Sequence, residues 1–81
     1  MQVQIRFNGS LAQHIGQARL AIALETGATV AELRQQLVQR HPAAAQALAL
    51  AVPVLAGRHV TDAEVLHEGQ ELSLLLPVAG G

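Results

Sequence analysis

The residues with the clearest chemical potential stand together at the end of the sequence: Pro77-Val78-Ala79-Gly80-Gly81. Glycine has no Cβ, so two in succession let a backbone carboxylate enter a slot too narrow for any side chain. That carboxylate is inert until it is activated. Its attack on the α-phosphate of ATP would give an acyl-adenylate, from which a sulfur or other nucleophile would displace AMP at the carbonyl. The chain supplies no acid or base in such a scheme. A partner supplies them, and the task of the domain is to be recognised and to present Gly81. Pro77 cannot donate to a β-ladder and so releases the chain from the strand before it. The residues beyond it, at most about 3.5 Å each, extend roughly 14 Å, enough for Val78, Ala79 and Gly80 to thread a narrow channel.

Other chemistry-bearing residues are weaker candidates. His14, His41, His59 and His67 invite a metal site, since imidazole is the commonest zinc ligand. No pair stands at helical i, i+4 spacing and there is no cysteine to join them, so no metal is assigned. Arg6, Arg34 and Arg58 could meet acidic surfaces, although scattered arginines are usually solvated; Arg58 is the one assigned to a partner. Leu75 breaks the polar-out rule just before the tail and marks a contact surface together with Pro77.

Composition narrows the classes of function. The chain has 81 residues, enough for one small domain without a large enzyme cleft. Apolar residues make up 51% and charged ones 14%, which excludes a disordered chain. Phe7 is the only aromatic residue and the formal charge is −1, so neither a base-stacking surface nor a basic footprint for nucleic acid is present. Without cysteine, stability must come from one apolar core. The opening Met1-Gln2-Val3-Gln4 lacks a signal-peptide pattern and the alanine-rich stretch is broken by Gln46 and Pro53, so the expectation is a soluble cytoplasmic protein with no membrane role.

The elements that must position the tail follow from periodicity. Val3, Ile5 and Phe7 alternate with polar residues as a first strand, with Phe7 in the core; Asn8-Gly9-Ser10 is a turn and Leu11 to Gly16 a short helical turn or loop. Leu20, Ile22 and Leu24 form a second strand, antiparallel to the first because the connection is too short for a full crossover. Thr29 and Glu32 form a capping box, followed by a helix with Val30, Leu33, Leu37 and Val38 on its buried face, ended by His41-Pro42. Ala43 to Leu50 is a short helix or irregular segment. Val52 to Leu55 is a short strand that tolerates Pro53 at an edge or at the strand's entry, with Gly57-Arg58 at the following turn tip. Thr61-Asp62-Ala63-Glu64 reads as the start of a second small helix, Leu66 lies in a loop, and Leu72, Leu74 and Leu76 mark the last strand. The architecture expected is α+β: a mixed four- to five-stranded sheet, first and last strands parallel at its centre, with one main helix across it. The domain should span 1–77, with an extended tail over 78–81.

With these residues in place, the chain resembles the MoaD/ThiS sulfur carriers, ubiquitin-like β-grasp proteins, and within them the MoaD branch, small subunits of molybdopterin synthase. The resemblance is carried by the Gln2 to Phe7 strand, Thr29-Val30-Ala31-Glu32-Leu33, His67-Glu68-Gly69-Gln70-Glu71-Leu72 and Pro77-Val78-Ala79-Gly80-Gly81, and it covers essentially the whole chain. It departs from the family pattern at Ala56-Gly57, where a Val-Asn-Gly-like turn is common, and at Leu75-Leu76-Pro77, which replaces a more aromatic approach to the tail. The resemblance implies that an E1-like adenylyltransferase adenylates Gly81, using its own ATP. A sulfurtransferase or cysteine desulfurase system then supplies the sulfur of a thiocarboxylate. The tail would enter the large subunit of molybdopterin synthase and donate sulfur toward the dithiolene, so the chain binds no cofactor and is not catalytic alone. Carriers for thiamine thiazole or tRNA thiolation, a protein modifier forming isopeptide bonds, and a non-covalent β-grasp domain stay open as alternatives.

Overall fold

The computed structural model of the protein describes residues 1–77. The expected tail segment of Val78, Ala79, Gly80 and Gly81 lies outside the described residues. Five strands, β1 (Gln2–Asn8), β2 (Arg19–Ala23), β3 (Val52–Leu55), β4 (Arg58–His59) and β5 (Glu71–Leu75), form one mixed sheet in the order β2-β1-β5-β3-β4. Three helices, α1 (Leu11–Ile15), α2 (Val30–Arg40) and α3 (Ala45–Leu50), complete the fold, with a 3-10 turn over Pro42–Ala44 leading into α3. This is the β-grasp arrangement expected from the pattern.

Alternation decides which face of the sheet is buried. Val3, Ile5 and Phe7 of β1 and Leu72 and Leu74 of β5 all point to one side and are essentially sealed from solvent. Val30, Leu33 and Leu37 of α2 meet them in a single cluster that also takes Ile22, Leu48 and Leu66. Val38, expected on the same helix face, is only half-buried. The helix starts where the capping box requires: the Glu32 amide donates to Thr29 Oγ1 at 3.4 Å and the Thr29 amide donates to Glu32 Oε1 at 3.3 Å.

Registration of β5 beside β1 is set at the turn before it. The Gly69 amide donates to the Gln2 carbonyl at 2.8 Å and the Gln4 amide to the Gln70 carbonyl at 2.9 Å. Glu68 Oε1 accepts from the Gln2 amide at 3.1 Å. Gly69 sits at φ +80°, a conformation that a Cβ would strain. The resulting parallel ladder pairs Gln4 with Glu71 and ends with Asn8 opposite Leu75.

Two local expectations are corrected. Thr61–Glu64 forms no helix: the Glu64 amide closes a turn on the Thr61 carbonyl at 3.1 Å. The turn then presents the Asp62 and Glu64 carbonyls to the Ala31 and Val30 amides, both at 3.0 Å, satisfying the free donors at the start of α2. The hairpin tip is Ala56-Gly57, not Gly57-Arg58, because Arg58 already pairs with Leu55 in β4. Of the two positions expected for Pro53, the structure shows the strand entry: it is the second residue of β3, which is not the edge strand. Its carbonyl accepts from the Val60 amide, so its missing N–H faces the β4 side, where the two-residue β4 ends before reaching it.

The hairpin tip has both central residues at positive φ, Ala56 at +49° and Gly57 at +80°, the requirement of a type I′ turn. Ala56 is the non-glycine residue held in this left-handed region, where its Cβ crowds the backbone. Replacing Ala56 with Asn should therefore raise stability by about 0.5–1 kcal/mol in urea unfolding. A lower unfolding midpoint would show that the tip carries no such strain.

Candidate functional site

The site is the root of the C-terminal segment, and three elements fix it. Leu75, the last residue of β5, is flanked by Asn8 of β1 on one side and Val52 of β3 on the other. It faces away from Leu72 and Leu74 and is half-buried on the outer side of the sheet, rather than fully exposed. Leu76 packs half-buried against the core cluster, and Pro77 is exposed. The chain thus leaves the sheet between Leu75 and Pro77, where the proline was expected to release it. Beside this exit an open groove of about 270 Å³ is lined by Leu76, His14 at the end of α1, and Ala43, Gln46, Ala47 and Leu50. Leu50, at 64% exposure, is the most solvent-accessible large apolar residue among the described residues.

Of the other expected site residues, Arg58 lies on β4, one strand beyond β3, with its Nη2 3.8 Å from Glu64 Oε2 and its side chain 67% exposed. It is available on the surface but apart from the exit. The four histidines are spread over α1, the end of α2, β4 and the turn before β5. Among the described residues, no three His, Asp or Glu side chains come together in a way that could hold a metal ion. No helix of the described residues is long and apolar enough to cross a membrane.

One residue read from the sequence as able to meet an acidic surface bonds within the molecule instead. Arg34 does not face a partner surface. Its Nη1 donates to the Leu48 carbonyl and, at 2.8 Å, to the Ala51 carbonyl, while Nη2 donates to Asp62 Oδ1 at 2.7 Å. The guanidinium therefore ties the end of α3 and the start of β3 to α2 and to the Asp62 turn. β3 is one of the two strands that flank Leu75, so Arg34 is linked to the exit through it. A signal for this was present: position 34 falls within the apolar stripe of Val30, Leu33 and Leu37, where a solvated arginine has no place.

The ThiS family model matches residues 5–81. No curated protein sequence matches the chain at a significant level. Among solved structures, SAMP1 from Haloferax volcanii superposes with a TM-score of 0.86 at 24% identity, over 100% of both chains. A putative molybdopterin converting factor, subunit 1, from Pyrococcus furiosus gives 0.85 at 23% identity, over 96% of this chain and 99% of that one. The complex of subunits 1 and 2 of molybdopterin-converting factor from Helicobacter pylori gives 0.71 at 26% identity, over 100% of each chain. The fold is thus one shared by ThiS/MoaD-like carriers and ubiquitin-like modifiers.

Because Arg34 satisfies carbonyls at a half-buried helix end, Arg34→Met should cost about 2–3 kcal/mol of stability in chemical unfolding. Asp62→Asn should cost less than about 1 kcal/mol, since that carboxylate is half-exposed and the other two bonds of Arg34 survive. Equal losses in the two variants would assign the stabilisation to the ion pair instead.

Proposed function

Because the chain belongs to the ThiS family, we propose that it is a sulfur carrier whose Gly81 carboxylate becomes a thiocarboxylate that donates sulfur in molybdopterin assembly. The observation that carries this reading is the reach of the family match to residue 81, which takes in the whole of Pro77-Val78-Ala79-Gly80-Gly81. The likeness to a subunit of the Helicobacter pylori complex supports the assignment to the molybdopterin branch and a large subunit as partner.

The chemistry follows from what a carboxylate lacks. Its carbonyl is a poor electrophile and hydroxide a poor leaving group. An E1-like adenylyltransferase joins the Gly81 carboxylate to the α-phosphate of ATP and releases pyrophosphate. The outer sulfur of a persulfide on a sulfurtransferase or cysteine desulfurase system then forms the C–S bond as the C–O bond to AMP breaks, and a thiol reductant cleaves the resulting acyl disulfide to leave the thiocarboxylate. The thiocarboxylate sulfur is the nucleophile delivered to the large subunit. This chain contributes recognition and placement: β5 and Pro77 set the point of departure, Val78, Ala79 and Gly80 thread the partner's channel, and Leu75, Pro77 and Arg58 meet its surface.

Mass spectrometry tests the reading. Protein isolated with its adenylating enzyme and a sulfur donor should end at Gly81 and gain about 16 Da there, oxygen replaced by sulfur. Deleting Gly81, or adding one residue after it, should abolish this gain while leaving the melting curve nearly unchanged, because the buried cluster of the described residues lies within Val3 to Leu74. Gly81 joined only to lysines of other proteins would make the chain a modifier, and a native product running past Gly81 without processing would defeat both readings.

A further inference from the structure

The sheet has two edges, and the fold blunts only one of them. β4 is two residues long and offers little backbone to pair with, whereas β2 is an edge strand of five residues, Arg19–Ala23. The Ala18 carbonyl accepts from the Phe7 amide and the Leu24 amide donates to the Met1 carbonyl, so even-numbered residues of this segment turn their peptide groups toward β1. Those of Arg19, Ala21 and Ala23 therefore point away from the sheet. No loop among the described residues bonds to them. Natural edges are commonly guarded by a proline, a bulge or a charge along the strand. The centre of β2 has none of these: its ladder with β1 is unbroken from Gln2–Ala23 to Arg6–Arg19, and the side chains beside its free peptide groups are Ala21 and Ala23.

The charges flanking this edge select what can pair with it. Arg19 stands at one end and Glu25 just beyond the other, both exposed and neither in an ion pair among the described residues. Ile22 lies midway between them, which makes the segment complementary to itself. In an antiparallel pair centred on Ile22, Arg19 of each copy faces Glu25 of the other, Leu20 faces Leu24, and Ala21 faces Ala23. The peptide groups that point outward then meet one another, as a hydrogen-bonded ladder requires. Within its own sheet Arg19 is opposed by the like charge of Arg6, and this register places a carboxylate on its other side. The exposed part of half-buried Leu20 is covered as well. A register shifted by two residues would set Arg19 against Ala23 and lose both ion pairs.

We propose that β2 pairs antiparallel with β2 of a second copy of this chain, centred on Ile22, to give a two-fold dimer with one continuous sheet. Its middle has the strand order β5-β1-β2-β2-β1-β5, and five spacings of about 4.8 Å put the two β5 strands roughly 24 Å apart. β5 runs parallel to β1, so the two exits point in opposite directions. The pairing leaves β5, β3 and Pro77 uncovered, and the dimer presents two exits at once. Nothing in the proposal rests on the carrier reading, which concerns the chemistry of Gly81.

Sedimentation equilibrium and amide hydrogen exchange of the full chain, at micromolar and at millimolar concentration, test this. An edge of this length buries less surface than a standard interface, so the association is weak and shows at the higher concentration. There the apparent mass should rise toward that of a dimer, and the Ala21 and Ala23 amides should exchange more slowly while the Gly9 amide does not change. Arg19→Glu or Glu25→Arg alone should weaken dimerisation about tenfold by opposing like charges, and the double variant should recover it. A chain that stays monomeric at millimolar concentration, or self-association that leaves Ala21 and Ala23 exchanging as before, would overturn the proposal. So would a double variant that associates no better than the single ones, or protection of these amides only when a different protein is added. The gain in mass at Gly81 is scored on the same preparations: a thiocarboxylated monomer refutes only the dimer, and a dimer that takes up no sulfur refutes only the carrier.

Discussion

The structure depends on the burial of β5 at the centre of the sheet. Leu72 and Leu74 are sealed from solvent, and the strand is hydrogen-bonded to β1 on one side and β3 on the other. A strand held along both edges and on one face has no low-energy alternative register, because a slip by one residue would turn both leucines outward. The point where the chain leaves the sheet is therefore set by the whole fold. A carrier whose reactive group stands a few residues beyond such a strand gains a defined origin for it without needing a cleft of its own.

The other elements serve this strand at a distance. The Glu68-Gly69 turn pins the start of β5 to Gln2, at the end of the sheet opposite the exit. Arg34 fixes the junction of α3 and β3, and β3 in turn places Val52 beside Leu75. The Asp62 turn braces the Arg34 junction from the other side, accepting from Arg34 through its side chain and from the Ala31 amide of the same helix through its carbonyl. A polar network of this kind adds less to stability than the apolar cluster does, yet it orients the pieces that the cluster only holds together.

What could be read from the sequence was whatever rests on local spacing. The alternation at Val3, Ile5 and Phe7, the Thr29–Glu32 box and the leucines of β5 each declare themselves within a few residues, and together they gave the β-grasp order. Residues whose conformation answers to a distant partner were less legible. Thr61–Glu64 has the composition of a helix start, but its carbonyls are taken up by the first turn of α2. Ala56 adopts a left-handed conformation because the tight turn between Leu55 and Arg58 demands it. Arg6 and Arg19 become a pair only once the register of β1 and β2 is known. At the site itself, the Gly-Gly ending was legible as chemistry, whereas the groove beside Leu76 required the packing of α1 and α3.

We propose a compact body that delivers a reactive terminus to proteins that load and unload it. What distinguishes such a carrier is the atom delivered. The most direct measurement loads Gly81 with an isotopically heavy sulfur, mixes the chain with the large subunit and the cyclic pyranopterin precursor, and follows the label in a single turnover. Heavy sulfur should leave the chain and appear in the pterin as Gly81 returns to a carboxylate. Product formed with light sulfur while the label stays on Gly81 would contradict it.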